Sequence, residues 1–223
     1  MIPSTVTLLA KDLKLDLRSL ENFISMLFFG VIILLIFAFA LPIEDDSHEK
    51  LAPGLYWVVF LLSGILNLNK LFQIEKENGC MDAVLLAPIP RGSIFLGKML
   101  ENIIFITAMQ VIMIPLFSLF FFEGLMVHFF ELLGLSVFTA IGFSSLGTLL
   151  GGLTTDVRFK EILLPILLFP LLVPLLLASV ILLQSLVGGN GLFAEADWLK
   201  LLIGFDLIYL VVSYLVFDIV MEI

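Results

Sequence analysis

The sequence predicts an all-α integral membrane protein with six transmembrane helices. The first observation is composition: of the 223 residues, 61% are hydrophobic and 14% are charged, and the mean hydropathy is +1.19. Soluble domains carry about 25% charged residues, and a soluble fold of this composition would expose large apolar patches. The second is a series of six long apolar segments, and the third is the gathering of basic residues on alternate connections between them.

The six apolar segments are each long enough to cross about 30 Å of hydrocarbon as a helix that rises about 1.5 Å per residue. They predict a single transmembrane domain over residues 1–223, because no long polar stretch divides them. The predicted spans are 23–42, 53–72, 95–122, 126–153, 162–184 and 199–220.

The distribution of lysine and arginine predicts the orientation of the chain. Lys11, Asp12 and Lys14 interrupt any signal-peptide core, so we expect the N-terminus to stay in the cytoplasm. Nine basic residues then lie on the cytoplasmic side, against only Lys50 and Lys200 outside. This excess predicts that both termini are cytoplasmic. The nine are Lys11, Lys14, Arg18, Lys70, Lys76, Arg91, Lys98, Arg158 and Lys160.

Residues 4–21 are predicted to form an amphipathic helix before the first span. A helix that is basic on one face and apolar on the other normally lies in the headgroup plane. A plain N-terminal extension is the alternative. The apolar face carries Val6, Leu9, Leu13, Leu17 and Leu20, and the basic face carries Lys11, Lys14 and Arg18.

Several classes of function are disfavoured by residue usage. The net charge of −9 argues against a nucleic-acid partner. The single Cys80 excludes an intrachain disulfide and a cysteine-cluster metal site. His48 and His128 stand apart from other ligands, so we predict ordinary surface residues, no metal site and no tightly bound cofactor; ligation of a metal or a heme iron by either histidine is the alternative. No Ser–His–acid set or HExxH pattern occurs, and no catalytic residue is predicted.

Residues 92–99 nearly match the P-loop pattern GxxxxGK[ST]. The last position is Met99, which has no hydroxyl for Mg²⁺, and no strand precedes the motif. We therefore expect any ATP chemistry to reside in a partner chain.

Polar residues within the spans are costly and often mark an internal pathway. The candidates for such a pathway are Asn67, Glu101, Asn102 and Gln110. Glu101 also follows Lys98 at i+3, so a local ion pair is the alternative for that residue. Asp206 and Asp218 fall within the sixth span.

The fourth span carries small residues at three- and four-residue spacing, which lets neighbouring helices approach closely. Packing inside one protomer and a homodimer seam both fit this pattern. The residues are Ser144, Gly147, Thr148 and Gly151.

The connection between the second and third spans, residues 72–93, is longer than a simple turn. Helical periodicity separates an apolar face from a polar face, Pro88 and Pro90 end the pattern, and Ser93 can cap the next helix. This predicts a cytoplasmic helix over residues 75–87 that contacts a motor protein; an interfacial helix without a partner is the alternative. Its candidate contact residues are Glu75, Glu77, Asn78, Gly79, Met81, Asp82, Val84 and Leu85.

Two long stretches resemble the heme exporter protein B (CcmB) family. They are LAPGLYWVVFLLSGILNLNKLFQIEKENGCMDAVLLAPIPRGSIFLGK (51–98) and GTLLGGLTTDVRFKEILLPILLFPLLVPLLLAS (147–179). The resemblance implies a fold like the ABC-2 type permeases, with an interfacial helix, six spans and a coupling helix between the second and third. It also implies a single permease domain in the bacterial inner membrane, surrounded by lipid.

The same resemblance implies partners. They are a cytoplasmic ATPase of the CcmA kind that binds ATP, a heme-handling membrane subunit of the CcmC kind and a small membrane subunit. Heme is then a possible cargo. The Trp-rich motif of the heme-handling subunit is absent, since only Trp57 and Trp198 occur.

The function expected from these patterns is that of an ABC transporter permease subunit in c-type cytochrome biogenesis, which exports heme or releases a heme chaperone. Two alternatives stay open. One is an ABC-2 permease for another cargo, such as a lipid, a polysaccharide or a drug. The other is a membrane scaffold that docks partners without transport.

Overall fold

The computed structural model describes residues 2–40, 47–72, 89–122, 125–154 and 159–220. Within these ranges the chain is helical and contains no strand, which confirms the predicted all-α class. The α-helices are α1 (Ile2–Ser19), α2 (Glu21–Ala40), α3 (Ser47–Lys70), α4 (Arg91–Phe121), α5 (Phe129–Thr154), α6 (Lys160–Val187) and α7 (Ala196–Val220). Short 3-10 turns at Leu125–His128 and Leu192–Glu195 precede α5 and α7.

Six of the described helical stretches are long and apolar enough to cross a membrane, one in each of α2 to α7. Each predicted span overlaps one of them. The third begins at Arg91, because the helix starts directly after Pro90 with extended backbone at ψ 133°. The expectation that Ser93 caps this helix is wrong: Ser93 is buried inside its first turn.

Helix α5 is the centre of the bundle and packs against α3, α4, α6 and α7. Its small residues make this possible, since a Cβ on Gly147 would overlap the Leu68 side chain of α3. Gly151 likewise faces Phe72 and Leu164. For the small residues of the fourth span, the structure therefore shows packing inside the protomer.

The outer helices expose their apolar residues, as spans in contact with lipid do. Helix α2 buries only three residues, Met26, Gly30 and Leu34, and leaves Phe28 and Phe39 exposed. Helix α6 runs without a break through Pro165, Pro170 and Pro174, and it packs inward through the stripe Leu164, Leu168, Leu172 and Leu175.

The junction of α1 and α2 is a sharp break at Leu20, whose φ is +50°. A non-glycine residue rarely adopts this left-handed conformation, so the direction of the chain changes here at a cost. The Leu20 N–H still donates to the Asp16 carbonyl at 2.7 Å. Because of this turn, α1 leaves the axis of α2 and packs mainly against α4.

Candidate functional site

The inward face of α1 is acidic. Asp12 and Asp16 lie four residues apart, so their side chains share one face of the helix, and both are buried. Val6 and Leu17 of the apolar stripe are exposed. In a membrane this arrangement directs Val6 and Leu17 toward lipid and the carboxylates toward α4, which agrees with the predicted interfacial position of α1. That position stays a prediction.

Two lysines provide positive charge for this acidic face: Lys11 of α1 itself, whose Nζ lies 2.9 Å from Asp12 Oδ1, and the buried Lys98 of α4. Lys98 Nζ lies 3.1 Å from Asp12 Oδ2 and 3.5 Å from Glu101 Oε2. The side chains of Lys98, Asp12 and Glu101 are 8%, 5% and 6% exposed. The local Lys98–Glu101 pair expected from the i,i+3 spacing is therefore present, and Asp12 extends it to a second helix.

The motif that resembles a P-loop is occupied by contacts within the chain. Lys98 is ion-paired, and a Cβ on Gly97 would lie 3.4 Å from Leu8 Cβ of α1, so Gly97 is where the two helices approach. A Cβ on Gly92 would lie 2.6 Å from the Tyr214 ring. These residues bind α1 and α7 and leave no open phosphate cradle.

The charged group lies at the point where the chain enters and leaves residues 73–88. Lys98 Nζ sits 5.9 Å from the centre of the Phe72 ring, at the end of the second span. Lys70 and Asn67 of α3 line the same small cavity as Asp12, Asp16 and Glu101. We call Asp12, Asp16, Lys98 and Glu101 the α1–α4 charge cluster, and it contacts the residues on which the predicted coupling helix is anchored.

A second polar group joins α3, α4 and α5 directly beside the charge cluster. Asn67 donates from Nδ2 to Asn102 Oδ1 at 2.7 Å, and Asn102 donates from Nδ2 to Ser144 Oγ at 2.8 Å. All three side chains are buried. Buried side-chain amides that satisfy one another hold three helices in one register.

A third group joins the same helices farther along the bundle. The Tyr56 hydroxyl donates to Gln110 Oε1 at 2.7 Å and lies 2.8 Å from Ser136 Oγ. Gln110 is eight residues beyond Asn102, which places the two groups about 12 Å apart along α4.

The structure thus brings together only part of the predicted pathway. Asn67 and Asn102 bond to each other, Gln110 belongs to a separate group, and Glu101 faces α1. Each is held by neighbouring helices, so these residues fix helix packing in this conformation. Their role in a transport pathway stays a prediction, and the predicted contact residues 75–85 lie outside the described residues.

Several members of these groups were missed in the sequence. Asp12 and Asp16 carry a signal, the i,i+4 spacing of two acids within a basic helix, but the apolar and basic residues alone defined its faces. Tyr56 and Ser136 carry none, because only the three-dimensional packing shows which helices meet.

Metal or cofactor ligands are not grouped in the part of the chain that the structure describes, where no set of three His, Cys, Asp or Glu residues forms. His128 Nδ1 lies 3.3 Å from Glu131 Oε1, one turn away on a partly exposed surface. This local contact fits an ordinary surface histidine.

Comparison with known proteins gives a consistent result over most of the chain. The sequence model of the family described as CcmB protein matches residues 4–223. A protein of Pseudomonas aeruginosa named heme exporter protein B is 32% identical over 193 residues, which cover 86% of each chain. Proteins of the same name from Rhodobacter capsulatus and Paracoccus denitrificans are both 29% identical, over 84% and 76% of this chain and 85% and 78% of their own.

Proposed function

The chain belongs to the CcmB family, and on that premise we propose that it is the membrane permease subunit of an ABC transporter that acts in c-type cytochrome biogenesis. The observation that carries the proposal is the extent of the match, which includes all six spans. Its relatives are named heme exporter protein B, so heme, or the release of a heme chaperone, is the proposed object of the transporter.

The proposed division of labour leaves ATP hydrolysis to a separate cytoplasmic ATPase of the CcmA kind. This chain is a non-catalytic subunit in the proposal. Support comes from residues 92–98, whose glycines and lysine are engaged by α1 and α7. A heme-handling membrane subunit of the CcmC kind and a small membrane subunit complete the proposed complex, and a homodimer of this chain fits the two-site ATPases of such transporters.

The proposed mechanism starts at residues 75–87. An ATPase that closes on nucleotide displaces this segment, and α3 and α4 move because the segment joins them. The Asn67–Asn102–Ser144 group passes the displacement to α5, and Lys98 passes it to α1. These bonds make the cytoplasmic ends of four helices respond as a unit.

The proposed location is the bacterial inner membrane, with both termini in the cytoplasm. The excess of basic residues on one set of connections supports this orientation. The α1–α4 charge cluster and Lys70 then lie near the cytoplasmic ends of the spans.

Purification of a tagged chain from gently solubilised native membranes tests the proposal. The ATPase is expected to co-purify with the wild type and to be lost from the double variant Glu77→Lys/Asp82→Lys, which reverses two charges on the predicted contact helix. The matched control is Glu131→Lys/Asp197→Lys, which reverses two exposed acids outside that segment and should retain the ATPase. Failure of any ATPase to co-purify with the wild type would favour the scaffold alternative.

A further inference from the structure

Asp206 lies in the middle of α7 and faces the interior of the bundle. It is ten residues from Ala196 and fourteen from Val220, so it is about 15 Å and 21 Å from the two ends of the helix. It shares its face with Leu202, Tyr209 and Phe217, which pack inward. Only 5% of its surface is exposed.

The carboxyl of Asp206 has no polar partner among the described residues. Neither of its oxygens accepts a hydrogen bond there, and both are shielded from solvent. Oδ1 rests against Gly142 of α5, where an added Cβ would overlap it, and Leu175 of α6 closes the same space. The backbone N–H of Gly142 approaches the carboxyl, but it makes no hydrogen bond to either oxygen.

Hydroxyl groups near this junction are engaged elsewhere. Tyr209, one turn along α7, donates its hydroxyl to the Leu171 carbonyl at 2.6 Å. Thr139 of α5 and Ser179 of α6 lie 2.8 Å apart and bond to each other. Asp206 is therefore left with apolar contacts and backbone.

Charged groups are also remote from Asp206 on every helix that packs against α7. Helix α5 carries only Glu131, and α6 carries only Lys160 and Glu161, all within the first turn. On α4, Lys98 and Glu101 face Asp12 of α1, and Arg91 lies at the start of the helix, where it donates to the Asp218 carbonyl at 3.1 Å. On α7 itself, Lys200 is exposed and pairs with Asp197 at 2.9 Å, and Asp218 lies twelve residues from Asp206, about 18 Å along the helix.

An ionised carboxylate in this position would be a bare charge within the hydrocarbon region, which is strongly unfavourable. A metal cation would require several oxygen ligands, and one carboxylate does not supply them. A proton needs only the carboxyl itself. We propose that Asp206 is a proton-binding site at mid-membrane, protonated while α5, α6 and α7 are packed together and ionised when the packing opens to water.

The packed form holds one more proton than a form in which Asp206 reaches water, so a rise in pH favours the open form. This inference depends on the geometry around Asp206 and not on the proposed transporter role.

Infrared spectroscopy of the purified chain in lipid nanodiscs at neutral pH tests the proposal. A protonated carboxyl gives a C=O band that shifts in D₂O. The band should be present in the wild type and in the control Asp197→Asn, which alters an exposed aspartate of the same helix, and its intensity should fall in Asp206→Asn. Identical carboxyl bands in the wild type and Asp206→Asn would overturn the proposal.

A second variant covers the case in which Asp206→Asn fails to fold. Asp206→Glu retains the acid but moves it by one methylene, so the band should persist at a changed frequency. An unchanged spectrum in this variant would assign the band to another residue and overturn the proposal.

Discussion

Asp12 and Asp206 are both buried aspartates, 4% and 5% exposed, but the structure treats them in opposite ways. Asp12 faces Lys98 at 3.1 Å near one end of the bundle. Asp206 faces a glycine and a leucine in the middle. The first site stabilises a charge with a partner from another helix, whereas the second is compatible only with a neutral acid.

The surroundings of Asp12 and of Asp206 suit the two residues to different roles. The members of the α1–α4 charge cluster depend on one another, because the loss of Lys98 leaves Glu101 uncompensated and removes the interhelical partner of Asp12. The Asp206 carboxyl is neutralised by its own proton, without a partner side chain. The cluster is therefore suited to hold α1 against α4, and Asp206 is suited to respond to water entry.

The largest expected effect is the loss of Lys98. Lys98→Met leaves Glu101 buried without its cation and leaves Asp12 only the half-exposed Lys11, so it should destabilise the protein by about 3–5 kcal/mol. Thermal unfolding in detergent measures the change. Lys200→Met is the control, because that lysine is exposed, and it should unfold like the wild type. Equal behaviour of the two variants would show that the cluster does not hold α1.

A double variant sharpens the interpretation of the cluster. Asp12→Asn/Lys98→Met removes both partners of the ion pair. Its loss of unfolding free energy should be smaller than the sum of the losses in the two single variants, by about 0.5–3 kcal/mol. The same unfolding assay on all four proteins gives the coupling energy. Strict additivity would contradict a direct interaction between the two side chains.

The packing around Asp206 can be tested through its neighbour. Gly142→Ala adds a methyl group that overlaps Asp206 and Leu175, and it should destabilise the chain by about 1–3 kcal/mol. The control is Gly134→Ala on the same helix, where an added Cβ has no neighbour within 4 Å. A Gly142→Ala variant as stable as Gly134→Ala would contradict the close approach of α5 to α7.

The uncharged groups should contribute less than the ion pairs. Ser144→Ala removes the acceptor of Asn102 and should cost about 0.6 kcal/mol, the average for hydrogen bonds between membrane helices. Unfolding of this variant beside Lys98→Met compares the two kinds of contact in one protein. A larger effect for Ser144→Ala than for Lys98→Met would reverse the ranking.

The smallest expected effect is that of Asp206→Asn at acidic pH, below the ordinary aspartate pKa of about 3.9, where a neutral amide replaces an acid that is neutral in both the packed and the open form. At neutral pH the variant should be more stable than the wild type, because only the wild type gains from ionisation in the open form. As the pH rises, the unfolding free energy of the wild type should fall, whereas that of Asp206→Asn should change less. Unfolding midpoints across a pH series measure this. Parallel pH profiles would indicate that Asp206 is ionised in the packed form.

The sequence was sufficient to predict the helical class and the six spans, because the length of each apolar segment can be counted from the residues alone. The start of the third span was harder to predict. Arg91, Gly92 and Ser93 are too polar to be counted in an apolar segment, but the helix begins with them, directly after Pro90. The local Lys98–Glu101 pair was also accessible from spacing. Its extension to Asp12 was not, because the contact joins residues 86 positions apart.

For the buried polar groups too, the sequence shows some of the residues, but only the structure shows their partners. Asn67, Asn102 and Gln110 stand out as polar residues within spans, but their partners Ser144, Tyr56 and Ser136 are ordinary in a sequence. Only the packing of α3, α4 and α5 assigns each pair. Asp206 is visible as an acid in the last span, but its lack of a partner depends on Gly142 and Leu175 from two other helices.

Deletion of the gene tests directly whether the chain is a permease subunit for c-type cytochrome biogenesis. The measured quantity is the c-type cytochrome content of the deleted strain. Covalently bound heme is measured in membranes with and without the gene restored on a plasmid. We expect the deleted strain to lose c-type cytochromes with b-type cytochromes unchanged, and to recover them fully with the wild-type chain. An unchanged c-type cytochrome content in the deleted strain would contradict it.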